Sequence, residues 1–277
     1  MKILLFFVNQ FKMFLDFIVT LYKMREVIIQ LARRDFKEKY IASYIGIYWA
    51  FIQPFISIFV LWFVFSFGFR SGSVDNTIPF VPWLVCGMIP WFFLNEAITG
   101  GTRSLIDFSY LITKIYFRSS VIPIIKIITA LVLHIMFIFI IIIFTVGYRI
   151  FPSIYWVQLP YYIFSSLILV MGITWFTAAV TVFLRDMEQI VNVGMQLAFW
   201  ATPIFWNHNM LGGKLKYVAY FNPFFYIING YRDTFIHQKW FFEHPDITIY
   251  FWAVTLVFFV IGALIFIRLK PFFADVL

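Results

Sequence analysis

The sequence predicts an all-α integral membrane protein. It has six transmembrane helices, an N-terminal amphipathic helix at the membrane interface, and an extracellular re-entrant helical hairpin between the fifth and sixth spans. Three observations predict this class. The 277 residues are 63% hydrophobic and only 12% charged, with mean hydropathy +0.91, whereas a soluble domain is about 45–50% apolar and about 25% charged. Apolar runs such as Ile135–Val146 are uninterrupted rather than alternating. Lipid leaves only helices or closed barrels able to pair every backbone amide, and continuous runs select helices. Lys and Arg, finally, are unevenly shared between alternate connections, the asymmetry that sets orientation in membranes.

A spanning helix needs about 20 mostly apolar residues. The spans are expected at Tyr44–Phe69, Phe80–Gly100, Val121–Val146, Leu159–Leu184, Gln189–Phe205 and Ile249–Ile267. The chain is read as one domain: residues 1–43 cytoplasmic or interfacial, 44–268 the six-span body, and 269–277 a cytoplasmic tail. With the N-terminus inside, fourteen cations fall on inner segments and six on outer ones, and Lys126 sits near the inner end of the third span. Both termini are therefore expected in the cytoplasm. The net charge of +8 reports this topology rather than a nucleic-acid partner. The apolar run Ile3–Val8 is short and followed by Asn9-Gln10, so a cleaved signal is not expected.

Three segments outside the spans carry information. Met24–Ile41 places Met24, Val27, Ile28, Leu31, Phe36 and Tyr40 at helical spacing, with Lys23, Glu26, Arg33, Lys37 and Glu38 opposite. This is the pattern of a helix lying on the inner leaflet. Arg103–Ser119 is a second inner segment of mixed character. Asn207–Pro245 is long for a connection and contains Tyr217–Tyr226, apolar but too short to span, hence the expected re-entrant hairpin.

Catalytic signatures are missing from the sequence. One cysteine, Cys86, and four scattered histidines do not make a metal site of the usual spacing. Gly212-Gly213-Lys214 is the nearest approach to a phosphate loop, and it lacks the upstream glycine and the hydroxyl residue. Glu96, the one good acidic candidate within a span, is read first as structural or water-facing. Gln189, Asn192, Gln196 and Trp200 share one face of the fifth span. They suit either a wall offered to a polar solute or interhelical hydrogen bonding. Gln53 and Ser57 share a face of the first span beside Pro54, where a locally satisfied kink is the plainer reading. Trp49, Trp83, Trp91, Trp156 and Trp206 near span ends read as interfacial anchors. The basic patch Arg33, Arg34, Lys37 and Lys39 suits anionic headgroups or a lipid-linked diphosphate, because a guanidinium gives phosphate two hydrogen bonds. Plain positive-inside anchoring is the alternative.

Several motifs, in order along nearly the whole chain, resemble type-2 ABC exporter permeases for polysaccharides. They are Arg34-Asp35-Phe36-Lys37, Tyr44-Ile45-Gly46-Ile47-Tyr48-Trp49 with Gln53-Pro54, Trp83–Phe93 containing Ile89-Pro90-Trp91-Phe92-Phe93, Leu184-Arg185-Asp186, Pro203-Ile204-Phe205-Trp206, and Asn222–Arg232. Ile89–Phe93 and Asn222–Arg232 look most like the wall teichoic acid branch of that family; O-antigen and capsule permeases share much of the pattern. The resemblance implies a six-span subunit of the bacterial plasma membrane, homodimeric and bound to two copies of a separate ABC ATPase. ATP and Mg would sit on that partner, with no cofactor on this chain. The implied substrate is a polymer on undecaprenyl diphosphate, moved to the outer leaflet amid membrane lipids. It further implies that Met24–Ile41 and Arg103–Ser119 receive the ATPase stroke, with Arg185–Glu188 a smaller contact. The coupling residues expected are then Arg103, Asp107, Tyr110, Lys114, Arg185, Asp186 and Glu188. Arg33, Arg34 and Lys37 are the headgroup candidates. Gln53, Ser57, Gln189, Asn192, Gln196 and Trp200 are the channel-lining candidates.

Two other classes compete. A membrane-embedded glycolipid enzyme needs clustered acids, and Asp35, Glu38, Asp107, Asp186 and Glu188 are spread over three inner segments. An ion-coupled transporter needs intramembrane carboxylates and no ATPase.

Overall fold

A computed structural model describes residues 16, 19–40, 46–68, 73–74, 78–113, 117–210 and 218–277. Helices dominate these residues: α1 (Arg25–Tyr40), α2 (Tyr48–Phe63), α3 (Phe80–Asp107), α4 (Ser109–Thr113), α5 (Ile122–Gly147), α6 (Leu159–Phe183), α7 (Asp186–Ala201), α8 (Pro223–Arg232), α9 (Pro245–Leu269) and α10 (Phe273–Val276). Between α2 and α3, β1 (Ser73–Val74) pairs antiparallel with β2 (Ile78–Pro79), Val74 opposite Ile78, a short ladder that hydropathy alone does not announce.

Five segments among the described residues are long and apolar enough to cross a membrane: Tyr48–Gly68, Phe80–Asp107, Ser119–Gly147, Ile154–Phe183 and Pro245–Val276. They match the expected first, second, third, fourth and sixth spans. The boundaries move for physical reasons. α3 runs past Gly100 to Asp107, so the inner segment expected at Arg103 begins as helix. Pro245 at the first turn of α9 starts that helix four residues before Ile249, where its missing N–H costs nothing. The start of the expected first span, Tyr44 and Ile45, lies outside the described residues. The expected fifth span is different. α7 has 16 residues and begins with Asp186 and Glu188 in its first turn. At about 1.5 Å of rise per residue it reaches roughly 24 Å, short of the roughly 30 Å hydrocarbon core.

α3 is the centre of the bundle, packing against α5, α6, α7, α8 and α2. Its first half carries no charge, and nearly every residue from Phe80 to Leu94 is buried; a helix apolar on all sides belongs in a core. The core has two parts. One joins α3, α5, α6 and α8 around Leu84, Ile89, Ile141, Leu169 and Ile228. The other lies toward the charged end and joins α1, α5, α6, α9 and α10 around Ile28, Ile125, Trp175, Phe266 and Phe273.

Between apolar helices in lipid, close packing rather than hydrophobic burial holds the contact, so small residues mark it. α6 and α9 meet at Gly172 and Gly262. A Cβ on Gly172 would lie 2.6 Å from the Phe259 nitrogen, and one on Gly262 would collide with the Gly172 carbonyl.

The structure adds detail to two of the expected segments. α1 buries Ile28, Ala32 and Asp35 while exposing Val27; an acid, not only the apolar stripe, faces the bundle, because Lys126 receives it. In Asn207–Pro245 the later part is one buried helix, α8, continued by a wider π-type turn over Asp233–His237. Asn222 caps α8 by accepting a 3.0 Å hydrogen bond from the Phe224 N–H, and Pro223 takes the first helical position. Residues 211–217 lie outside the described residues.

Candidate functional site

A cavity of about 930 Å³ opens between the end of α1 and helices α2, α3, α5 and α7, at the upper end of the roughly 300–1,000 Å³ typical of ligand sites. Its polar wall includes Gln53 and Ser57 of α2, Asn95 and Glu96 of α3, and Asn192 and Gln196 of α7. Trp49, Trp91 and Trp200 add aromatic faces. Helical spacing explains the α7 contribution: Asn192, Gln196 and Trp200 at i, i+4 and i+8 fall on one side. Gln189, one turn earlier, is exposed and does not reach this wall. Five of the six expected channel-lining residues are thus brought together. The Ser57 hydroxyl also donates back to the Gln53 carbonyl at 3.0 Å, the local satisfaction expected beside Pro54.

At the charged end lies a second cavity of about 640 Å³, lined by Arg34, Lys39, Arg103, Asp107, Lys126 and Glu188 among others. Ion pairs cross it. Lys126 Nζ is 2.6 Å from Asp35 Oδ1 and 2.9 Å from Asp107 Oδ2. Arg103 contacts Asp107 at 3.0 Å and Glu188 at 3.2 Å. Four helices, α1, α3, α5 and α7, are tied through these charges. Of the expected coupling residues, Arg103, Asp107 and Glu188 are therefore one network, and Tyr110 stands beside it with the Arg34 guanidinium 5.9 Å from its ring centre. Arg185 and Asp186 are exposed at the α6–α7 turn and are not members of these ion pairs. Lys114 lies outside the described residues.

The headgroup candidates separate in the same way. Arg33 and Lys37 are exposed on α1. Arg34 donates to Glu38 at 2.7 Å, and that hydrogen bond and the Glu38 charge hold its pKa above the ordinary value. Lys39 at the end of α1 pairs with Glu96 of α3, and both side chains stay partly exposed.

Counting cations by loop makes Arg232 an outer, solvated one; the structure encloses it, at 2% exposure. Its guanidinium donates to the carbonyls of Pro203 at 2.7 Å and Ile204 at 2.6 Å, and its carbon sits 3.5 Å from the Trp83 ring centre. Asn222 Nδ2 donates to the Thr202 hydroxyl at 2.7 Å. The segment after α7 is thereby pinned to α8 and α3. A signal exists in the sequence, since Trp83, Pro203-Ile204 and Asn222–Arg232 all sit in the motifs that carry the resemblance, but spacing does not say that they meet. His134 is likewise buried, its Nε2 2.5 Å from the Tyr231 hydroxyl, joining α5 to α8.

Helices able to cross a membrane several times, arranged around a polar cavity with a charged network at one end, describe a multi-pass membrane protein of the transporter type. The ABC-2 type transporter family matches residues 26–236, most of the chain, and the chain belongs to that family. Among curated proteins it is similar to two from Klebsiella pneumoniae named O-antigen export system permease protein RfbA. One is 29% identical over 199 residues, covering 72% of this chain and 76% of that protein. The other is 28% identical over 196 residues, covering 70% and 74%. A protein of the same name from Myxococcus xanthus is 26% identical over 222 residues, covering 79% and 84%.

Proposed function

We propose that this chain is the membrane subunit of an ATP-driven exporter that carries a lipid-linked polysaccharide across the plasma membrane. The observation that carries the proposal is the cavity whose amide and indole groups come from α2, α3 and α7, within a chain of the ABC-2 type transporter family. A glycan cannot cross hydrocarbon unaided, since each desolvated hydroxyl costs free energy until it is hydrogen-bonded. Amides replace those hydrogen bonds, and indole faces pack against sugar rings without fixing one repeat unit. The lipid tail stays in the bilayer while the headgroup and polymer pass.

In this reading the chain crosses six times with both termini in the cytoplasm. α7 completes its short crossing through the buried segment Thr202–Phe205; α1 lies along the inner leaflet, and the α8 region re-enters from outside. Two copies pair, each bound to one copy of an ABC ATPase that holds ATP and Mg. α2 exposes Phe55, Phe59 and Phe63 as part of the face offered to the second copy or to lipid. The network of Arg103, Asp107, Lys126 and Glu188 passes the nucleotide-driven movement from the inner segments to α3, α5 and α7. Arg33, Arg34 and Lys37 meet the phosphates of an undecaprenyl diphosphate carrier.

The names of the relatives favour an O-antigen polysaccharide as cargo. The teichoic acid reading rests on Ile89–Phe93 and Asn222–Arg232 and is the second choice. Purification of the tagged chain from its native membrane tests the assignment. An ABC ATPase at 1:1, whose hydrolysis rises when lipid-linked glycan is added, is the expected result; a chain that purifies without an ATPase contradicts it.

A further inference from the structure

The end of the bundle away from the charged network holds a third, small pocket. It lies between the start of α6, the buried helix α8 with its π-type turn, the short turn Phe241–Glu243 and the start of α9. Five aromatic side chains line it, Tyr226, Trp240 and Phe241 among them, with Asn229, Asp233 and His244 as polar members. Its free space is about 20 Å³, room for one group the size of a water molecule.

Asp233 stands out in that wall. It is 7% exposed, and burying a carboxylate is costly unless it is paired. Its Oδ2 accepts from Asn229 Nδ2 at 2.8 Å. Among the described residues its Oδ1 has no hydrogen bond, and no lysine, arginine or histidine forms an ion pair with the carboxylate. The adjacent Arg232 directs its guanidinium to the Pro203 and Ile204 carbonyls. Lys239 meets Asp233 through its backbone N–H, 3.1 Å from the main-chain carbonyl. Because a carboxylate only accepts, Asn229 turns its NH2 toward Asp233, which leaves the Asn229 carbonyl oxygen as a further acceptor.

We propose that this pocket binds a primary ammonium group, presented by the headgroup of an amino-phospholipid. The free carboxylate oxygen supplies charge and a hydrogen bond, and aromatic faces attract a cation through their quadrupoles. Size separates the candidates: an ammonium group is about as large as water, whereas a trimethylammonium group exceeds the space. Too few oxygens line the pocket for a calcium or magnesium ion, which takes about six or more. The rim points to a lipid as the source. Phe242, stacked on Trp240, and Ile249 are both exposed where α6 and α9 begin. Exposed aromatics at span ends mark the level at which headgroups lie. The inference goes beyond the export reading and does not depend on the cargo.

Native mass spectrometry of the full-length protein, with the subunits that purify with it, tests the site. Delipidated protein is given phosphatidylethanolamine and its mono-, di- and trimethylated forms at equal concentration. Retention should fall with each methyl group, by about tenfold across the series. Equal retention of the trimethylated form would overturn the proposal. Asp233→Asn removes the charge at nearly constant size and should abolish the preference. Asp246→Asn, at an exposed acid in the first turn of α9, should keep it. Trp240→Leu, at the partly exposed rim, leaves the buried carboxylate in place and should lower the preference several-fold. A preference unaltered in Asp233→Asn, or in Trp240→Leu where the first variant does not fold, would place the selectivity elsewhere and overturn the site. Soluble glycerophosphoethanolamine then separates the sources. Displacement of the lipid by it keeps the ammonium site and overturns the lipid as the sole source; selective retention without displacement assigns the membrane-anchored headgroup.

Discussion

Lys126 Nζ on α5 stands 2.6 Å from Asp35 Oδ1 on α1, with both side chains largely withdrawn from solvent at 15% and 8% exposure. The pair fastens the N-terminal helix to a membrane-crossing helix. Desolvation offsets much of the attraction in such a pair, but leaving one partner alone strands a buried charge. Among the described residues Asp35 Oδ2 already lacks a hydrogen-bond partner, so the carboxylate depends on Lys126.

Lys126→Met is therefore expected to destabilise the protein by about 3–5 kcal/mol, read as a lower midpoint of thermal unfolding in detergent. Asp35→Leu combined with Lys126→Met should recover most of the loss, because it removes the stranded charge. A single variant with an unchanged midpoint would show that α1 is held by its apolar contacts alone.

Arg232 makes a different prediction. Its planar fork reaches two successive carbonyls at once, a geometry that lysine cannot copy. Arg232→Lys is expected to cost about 2 kcal/mol, in the range of one hydrogen bond to a charged group. Gly87→Ala should do comparable harm from the other side, since its Cβ would sit 2.7 Å from Arg232 Nη2 and 3.0 Å from the Ile204 carbonyl. Folded yield by fluorescence-detected gel filtration checks both. Full tolerance of either substitution would remove Arg232 as the pin of the segment after α7.

The α6–α9 crossing carries its own control. Gly262→Val should abolish folded protein, as the new side chain would be driven into the Gly172 backbone. Gly147→Ala, with nothing within 4 Å of the new Cβ, should be neutral or slightly stabilising, because alanine favours the helix by up to about 1 kcal/mol. Equal expression of the two variants would contradict the close contact.

Range decides what is legible in the sequence. Asn192, Gln196 and Trp200 can be grouped because helical spacing is local, and the cavity contains them. Gln189 obeys the same rule and still misses the wall, since periodicity gives a face but not how far along the helix a neighbour extends. Long apolar helices are legible from composition, whereas the length of α7 is not: its apolar run continues to Phe205, but helical structure stops at Ala201. The pairing of Lys126 with Asp35 spans 91 positions and leaves no local pattern. Arg232 escapes a count of cations by loop, because such a count treats each cation as solvated and this one is enclosed.

The amides of the cavity give a functional prediction. Asn192→Leu and Gln196→Leu should each lower glycan export several-fold, with the partner's basal ATP hydrolysis retained. Gln189→Leu, off the cavity wall, should leave export near normal. Surface appearance of the glycan in cells depleted of the native chain reads this out, and equal loss in all three variants would argue that the α7 stripe serves helix packing instead.

Translocation itself is the decisive observable. The chain and its ATPase partner are placed together in proteoliposomes carrying a lipid-linked glycan on the ATPase-facing leaflet, and a lectin enclosed within reports arrival on the opposite side. ATP should produce a signal that a non-hydrolysable analogue does not, and that disappears when either subunit is omitted. Glycan reaching the lectin at the same rate without ATP, or without the ATPase subunit, would contradict ATP-driven export by this chain.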